Sequence, residues 1–98
     1  MFRLLTFTVI LFLAVASFSY AQSTPSDTLN AAEFINSGVK KYSDKDFNGA
    51  IADFSKAIEI NNKNYEAYYN RGLCYNNLQN FENAIDDYSK VVELNPKF

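Results

Sequence analysis

Residues 65–98 read YEAYYNRGLCYNNLQNFENAIDDYSKVVELNPKF, and they hold the clearest indication of the fold. The preceding segment, residues 31–64, repeats its pattern without a gap, and 11 positions are identical when the two are overlaid. One of the identical pairs is Gly38 with Gly72. A fixed period of 34 residues is typical of stacked helical repeats.

The apolar residues of both segments fall at three- and four-residue intervals, which indicates one face of a helix. The first segment predicts a helix over 31–43 and a second over 47–60, with Asp46 as the N-cap of the second. The second segment repeats this pair, and Pro96 ends its last helix. The sequence therefore predicts an all-α fold of four helices in two antiparallel hairpins.

The N-terminal segment, Met1–Ala21, has the layout of a secretory signal peptide. A single cation, Arg3, precedes an uncharged apolar run, and Ser19 and Ala21 are small residues where a signal peptidase requires them. We expect cleavage after Ala21 and a secreted or periplasmic location in a bacterial envelope. An uncleaved signal anchor is the alternative, although the run over 4–21 is at the short edge of the roughly 20 residues that span a bilayer.

Residues 22–30, QSTPSDTLN, are polar and contain Pro25. They predict a short flexible leader, in which Asp27 or Asn30 caps the first helix.

The two segments resemble the tetratricopeptide repeat (TPR) family, whose signature combines aromatic residues, Gly, Ala and a final Pro at fixed positions. The second segment supplies Tyr68, Gly72, Tyr75, Ala84, Tyr88 and Pro96. The first supplies Phe34, Gly38, Ala50 and Phe54, with Ser37, Lys41 and Asn62 departing from the pattern. The resemblance covers residues 31–98 and implies two TPR hairpins, 31–64 and 65–98, in a right-handed α-solenoid fragment. Arg71 stands where the family usually has Leu, and it is expected to pair with an acidic neighbour.

Packing expectations follow from the repeated small residues. A mid-helix glycine costs roughly 1 kcal/mol relative to Ala, so we expect close helix approach between Gly38 and Ala50, and again in the second repeat. We also expect four aromatic residues to fill the space between the hairpins: Phe47, Phe54, Phe81 and Tyr88.

The composition gives no indication of catalysis, a cofactor or a metal. The net charge is −2, or −3 without residues 1–21 (eight basic and eleven acidic side chains), so nothing favours nucleic acid or an anionic membrane. There is no His, no phosphate loop and no cluster of ligands at metal spacing. Asp86 and Glu82 are predicted to be solvated. Cys74 is predicted to be a small buried side chain, with an exposed thiol in an intermolecular disulfide as the alternative.

The family resemblance implies a concave groove on the first helix of each hairpin, which takes a peptide segment of a partner protein. The corresponding groove residues are Ala32, Ile35, Asn36, Val39, Tyr42, Glu66, Tyr69, Asn70, Leu73, Asn76 and Asn77. Their Asn side chains offer both donors and an acceptor to a peptide backbone.

A second candidate surface lies at the end of the second hairpin. A repeat hairpin buries its apolar face on its neighbour, so the last helix is expected to keep an uncovered edge. This docking edge comprises Val91, Val92, Leu94 and Phe98. It predicts self-association, docking on an envelope complex, or continuation into a longer repeat array. The leading hypothesis is an exported, non-enzymatic peptide-binding adaptor, and the alternative is an assembly subunit that uses the docking edge.

Overall fold

The computed structural model describes residues 25–98, which form four α-helices. These are α1 (Pro25–Ser43), α2 (Phe47–Ile60), α3 (Tyr65–Asn77) and α4 (Phe81–Leu94). Helices α1 and α2 pair as one hairpin, α3 and α4 pair as another, and α3 also packs on α2. The predicted all-α fold of two hairpins is confirmed. The signal-peptide prediction lies outside the described residues.

Helix α1 begins earlier than the sequence predicted. It starts at Pro25, so the prediction of a flexible leader is wrong from that residue onward. Proline suits the first turn of a helix because its φ is already helical and the missing N–H would have no partner there. Asp27 and Asn30 therefore lie within α1 and not at the position before its first residue. Within residues 25–98, no helix is both long and apolar enough to cross a membrane.

Short polar side chains begin the three later helices. Asp46, Asn64 and Asn80 each accept a hydrogen bond from a backbone N–H in the first turn of α2, α3 and α4. The prediction for Asp46 is confirmed. The turn inside each hairpin contains one residue in the left-handed region, Lys45 at φ 62° and Gln79 at φ 60°. These residues are 34 apart, so both hairpins use the same turn.

The core lies between α2 and α3. Phe54 is fully buried, and it forms a cluster with Ala50 and Cys74. The prediction that Cys74 is a small buried side chain is confirmed, and burial raises the pKa of its thiol to about 11. The cluster contains residues of both hairpins, so it joins the two repeats.

The repeated glycines make room for aromatic rings. A Cβ atom on Gly38 would lie 2.6 Å from Cε1 of Phe54, and one on Gly72 would lie 2.7 Å from Cε1 of Tyr88. The atoms nearest to each glycine therefore belong to this ring and not to Ala50 or Ala84, where the close approach was expected. Each glycine leaves space for the ring on the second helix of its own hairpin.

Candidate protein-binding surfaces

The predicted groove residues lie on α1 and α3, and several of them divide among three different environments. Some of these residues are exposed, among them Asn36, Val39, Glu66 and Asn77. Five others are half-buried. The half-buried set is Ile35, Tyr42, Tyr69, Asn70 and Leu73.

The first environment is a shallow pocket between the middle of α1 and the beginning of α3. The predicted residues Ile35, Asn36 and Glu66 line it, together with Asn61 and Asn64, which sequence reasoning missed. Asn64 already accepts hydrogen bonds from the backbone of α3, because it is the N-cap of that helix. The pocket combines an apolar side chain with amide and carboxylate groups, so it offers hydrogen bonds to a polar segment.

The second environment is a contact between the two repeats. The Asn77 side-chain amide donates to the Tyr42 hydroxyl at 3.1 Å and to the Leu73 carbonyl at 2.8 Å. The Tyr42 ring also meets the edge of Phe47 at a centroid distance of 5.4 Å. Two predicted groove residues are thus hydrogen-bonded to each other, and this bond connects α1 to α3.

The third environment joins the predicted groove to the predicted docking edge. Tyr69 and Leu73 of α3 line an apolar pocket with Tyr88, Val91, Val92 and Phe98. The Phe98 ring lies 4.9 Å from the Tyr69 ring, so the chain after α4 folds back over α3. The two candidate surfaces, which the sequence treated as separate, therefore meet at Tyr69.

The docking edge itself differs in part from its prediction. Val92 is 61% exposed and Phe98 is 63% exposed, as expected for an uncovered edge. Val91 is only 2% exposed, so its assignment to an uncovered edge is wrong. Adjacent residues of a helix point about 100° apart, and Val91 faces inward at the position that Ala57 occupies in the first repeat. Leu94 is half-buried.

Two further exposed apolar residues lie on α4, and sequence reasoning did not assign them to the edge. Phe81 is 56% exposed and Ile85 is 62% exposed, so the expectation that Phe81 fills the space between the hairpins is wrong. Their equivalents in the first repeat, Phe47 and Ile51, are partly buried against the core cluster. The identity of the residues gave no signal of this difference, because these pairs are the same across the 34-residue period.

The difference between the repeats has a simple cause. Helix α3 covers α2, whereas no helix among residues 25–98 covers the corresponding side of α4. Ile85, Tyr88 and Val92 share a second shallow pocket that continues the first. We call the combined surface the open face and define it by six residues: Tyr69, Leu73, Ile85, Tyr88, Val92 and Phe98.

An ion pair connects α3 to α4. Arg71 donates from Nε and Nη2 to the two carboxylate oxygens of Asp87, at 2.9 and 2.7 Å, and from Nη1 to Oγ of Ser55 at 3.1 Å. Asp87 is 4% exposed, and the hydrogen bonds to it raise the pKa of Arg71. The expected acidic partner of Arg71 is confirmed. Because Ser55 belongs to α2, this side chain joins three helices.

The equivalent carboxylate in the first repeat is Asp53. It accepts a hydrogen bond from Ser37 at 2.6 Å and pairs with Lys41 at 2.9 Å. Burial alone would raise the pKa of Asp53, but the hydrogen bonds and the charge of Lys41 outweigh burial and lower it. Both carboxylates thus connect the helices of a hairpin. Asp86 and Glu82 are exposed, as predicted, and residues 25–98 contain no cluster of side chains suited to a metal ion.

Two helix hairpins of equal period, stacked in register, are a unit of an α-solenoid. Comparison with known families is consistent with this. A tetratricopeptide repeat model matches residues 65–98, and a second TPR repeat model matches residues 40–79. Residues 40–98 belong to the tetratricopeptide repeat family, and the 34-residue offset and the first hairpin extend the assignment to residue 31. No curated protein matches the chain. Repeats of this family are generally protein–protein interaction modules.

Proposed function

We propose that this protein is an exported, non-enzymatic interaction module that binds a partner protein on its open face. One observation carries the proposal: at matched positions, α3 covers the first repeat, whereas no helix among residues 25–98 covers the second. Ile51 is partly buried against the core cluster and Ile85 is 62% exposed, although both are isoleucines on equivalent helices.

The chemistry of the open face suits a protein partner. Its exposed side chains are aliphatic and aromatic, and they form one continuous surface across α3, α4 and the residue Phe98. Contiguous apolar surface that stays exposed in a folded protein usually marks an interaction site. Tyr69 and Tyr88 add flat apolar area with a polar hydroxyl, a combination that is favoured at protein interfaces.

Export is the second part of the proposal, and it rests on the layout of residues 1–21. A cleaved chain would begin at Gln22 and would act outside the cytoplasm, in the periplasm or the medium. Mass spectrometry of the protein purified from its source tests this. A mature N-terminus at Gln22 supports export, whereas an intact Met1 in a membrane fraction supports the signal anchor, and an intact soluble chain contradicts both.

Peptide binding in the groove is a second candidate, supported by the pocket between α1 and α3. Ile35 offers an apolar contact there, while Asn36 and Glu66 offer polar groups on either side. A short extended segment of a partner could place its backbone against these groups. The Tyr42–Asn77 hydrogen bond occupies the far end of the predicted groove, which restricts such a segment to the pocket itself.

Site-specific photo-crosslinking in the full chain separates the two surfaces. A crosslinking residue replaces Ser89 beside the open face, Asn36 in the groove pocket, or Ala52 as a control on the exposed side of α2. We expect a discrete crosslinked species in the envelope of the source organism from position 89, and we expect Ile85→Asp to abolish it. A species from Asn36 alone would support the groove, and equal crosslinking at all three positions would contradict both proposals.

A further inference from the structure

We propose that Arg71 of α3 locks the angle between the two hairpins through its hydrogen bond to the Ser55 hydroxyl of α2. The lock lies within the described helices themselves, so it holds whichever surface binds the partner protein.

The buried contact between the hairpins holds them together without a directed bond. Ala50, Phe54 and Cys74 form its centre. The gain from apolar burial follows the buried area and has no preferred direction. Burial alone therefore selects the angle between α2 and α3 less sharply than a hydrogen bond of fixed geometry does.

Two other hydrogen bonds lie near this contact. The Asn77 amide donates to the Tyr42 hydroxyl in an exposed position, where water competes for both groups. The Tyr68 hydroxyl donates to the Asn62 carbonyl, which belongs to the loop between α2 and α3 and not to α2 itself. Arg71 differs from both because its bond to Ser55 joins α3 directly to α2 in a part-buried position.

The Arg71 guanidinium is held in one orientation. Its Nε and Nη2 both donate to Asp87, and such a bidentate pair fixes geometry as well as adding energy. The rings of Tyr68 and Tyr75 lie 5.7 and 5.9 Å from its central carbon, one from the turn before and one from the turn after along α3. Nη1 therefore points in a fixed direction, and the oxygen of Ser55 meets it at 3.1 Å.

The matched cluster of the first hairpin stays within that hairpin. Ser37 stands at the position of Arg71, and it donates to Asp53. Lys41 also pairs with Asp53, and both donors belong to α1. The long side chain of Arg71 is thus what extends the second cluster to the neighbouring hairpin.

The angle matters for the groove pocket, because both hairpins line that pocket. Ile35 and Asn36 belong to α1, whereas Glu66 belongs to α3. Rotation of one hairpin on the other would change the separation of these side chains. A fixed angle keeps the pocket in one shape, which lowers the ordering cost of binding.

Distances between pairs of spin labels in the full chain test the lock. One pair spans the hairpins, at Ala52→Cys and Asp86→Cys, which are exposed positions one period apart on α2 and α4. A second pair lies within the first hairpin, at Asn36→Cys and Ala52→Cys. Cys74 stays unlabelled because it is fully buried. Pulsed electron paramagnetic resonance measures the width of each distance distribution.

We expect Ser55→Ala to broaden the distribution between the hairpins and to leave the distribution within the first hairpin unchanged. Arg71→Lys keeps the charge but not the planar fork, so it should broaden the first distribution as well. Ser55→Thr keeps the hydroxyl and should retain the original width. Circular dichroism checks that each variant keeps its helices.

Ser89→Ala is the matched control. Ser89 is the equivalent of Ser55 in the second repeat, but its hydroxyl donates to the Ile85 carbonyl of its own helix. We therefore expect Ser89→Ala to leave both distributions unchanged.

The inference is overturned if Ser55→Ala and Arg71→Lys keep the original width between the hairpins. It is also overturned if both label pairs broaden together, since the whole fold is then loosened, or if Ser89→Ala broadens the distribution as much as Ser55→Ala. These distances are measured without a partner, so their outcome leaves the proposed function to its own crosslinking test.

Discussion

The ion pair between Arg71 and Asp87 gives the sharpest test of how the second hairpin is held together. Arg71→Leu introduces the residue that the repeat family usually has at this position, so the change is small in sequence terms. It leaves the Asp87 carboxylate without its partner, and Asp87 is 4% exposed. Loss of one partner of a buried ion pair costs about 3–5 kcal/mol. Because the Arg71 side chain retains 20% exposure, we expect the lower end, about 3 kcal/mol.

That loss is large for this fold. A chain of the length of residues 25–98 has a total unfolding free energy of about 4–11 kcal/mol at typical values per residue. Urea unfolding of the full chain, followed by circular dichroism at 222 nm, measures the change. Asp87→Asn removes the charge but keeps the shape, so it should cost less, about 1.5 kcal/mol. The double variant should cost less than the sum of the two by about 1–2 kcal/mol, since the unpaired carboxylate is then absent.

A matched control lies on the surface of the same hairpin. Lys90 and Glu93 form an ion pair at 3.2 Å, with the Glu93 side chain 68% exposed. Glu93→Gln should change the unfolding free energy by less than about 0.5 kcal/mol. The reasoning is refuted if Arg71→Leu costs no more than this control, or if the double variant costs the full sum of the two single changes.

Three further predictions use the same unfolding assay or thiol chemistry. Val91→Ala should cost about 2 kcal/mol and Val92→Ala less than about 0.5 kcal/mol, because Val91 is buried and Val92 is 61% exposed; equal costs would contradict the difference in exposure. The Cys74 thiol, with its pKa raised to about 11, should react with an alkylating reagent at pH 8 only as fast as the chain unfolds, and rapid labelling of the folded chain would contradict its burial. The folded-state pKa of Asp53 is lowered below 3.8, so its contribution to stability is present above that pH and is lost as the pH falls through the folded value. Asp53→Asn should therefore reduce the loss of stability on acidification below pH 3.8, and an unchanged pH dependence would contradict this.

The sequence predicted the helices because the signals that place and end a helix lie within or next to that helix. Apolar spacing, the N-cap Asp46 and the final Pro96 each act within a few residues of their own position. The boundary of α1 was missed since a proline in a polar segment indicates a turn as readily as a first helical position. Pro25 takes the helical position here because the residues after it continue as a helix.

The candidate sites were predicted less well, because they depend on which neighbours a side chain meets. Asn77 was assigned to the groove by its place on α3, and only the packing of the repeats shows that it binds Tyr42 instead. Val91 and Val92 look alike in the sequence, and their different exposures follow from the direction of each on α4. Tyr69 joins the open face since Phe98 folds back against it, a contact 29 residues apart in sequence.

The repeat is encoded locally: residues 31–98 alone predict the period, the two hairpins, the small residues and the apolar positions of α4. Whether each of those positions is buried depends on how the helices pack. A repeat pattern gives equivalent residues the same chemical preference, but burial depends on whether another helix lies against them. Phe47 and Ile51 contact the core that α3 completes, while the identical residues Phe81 and Ile85 are exposed. The binding surface that we propose is the part of the repeat that the described helices leave uncovered.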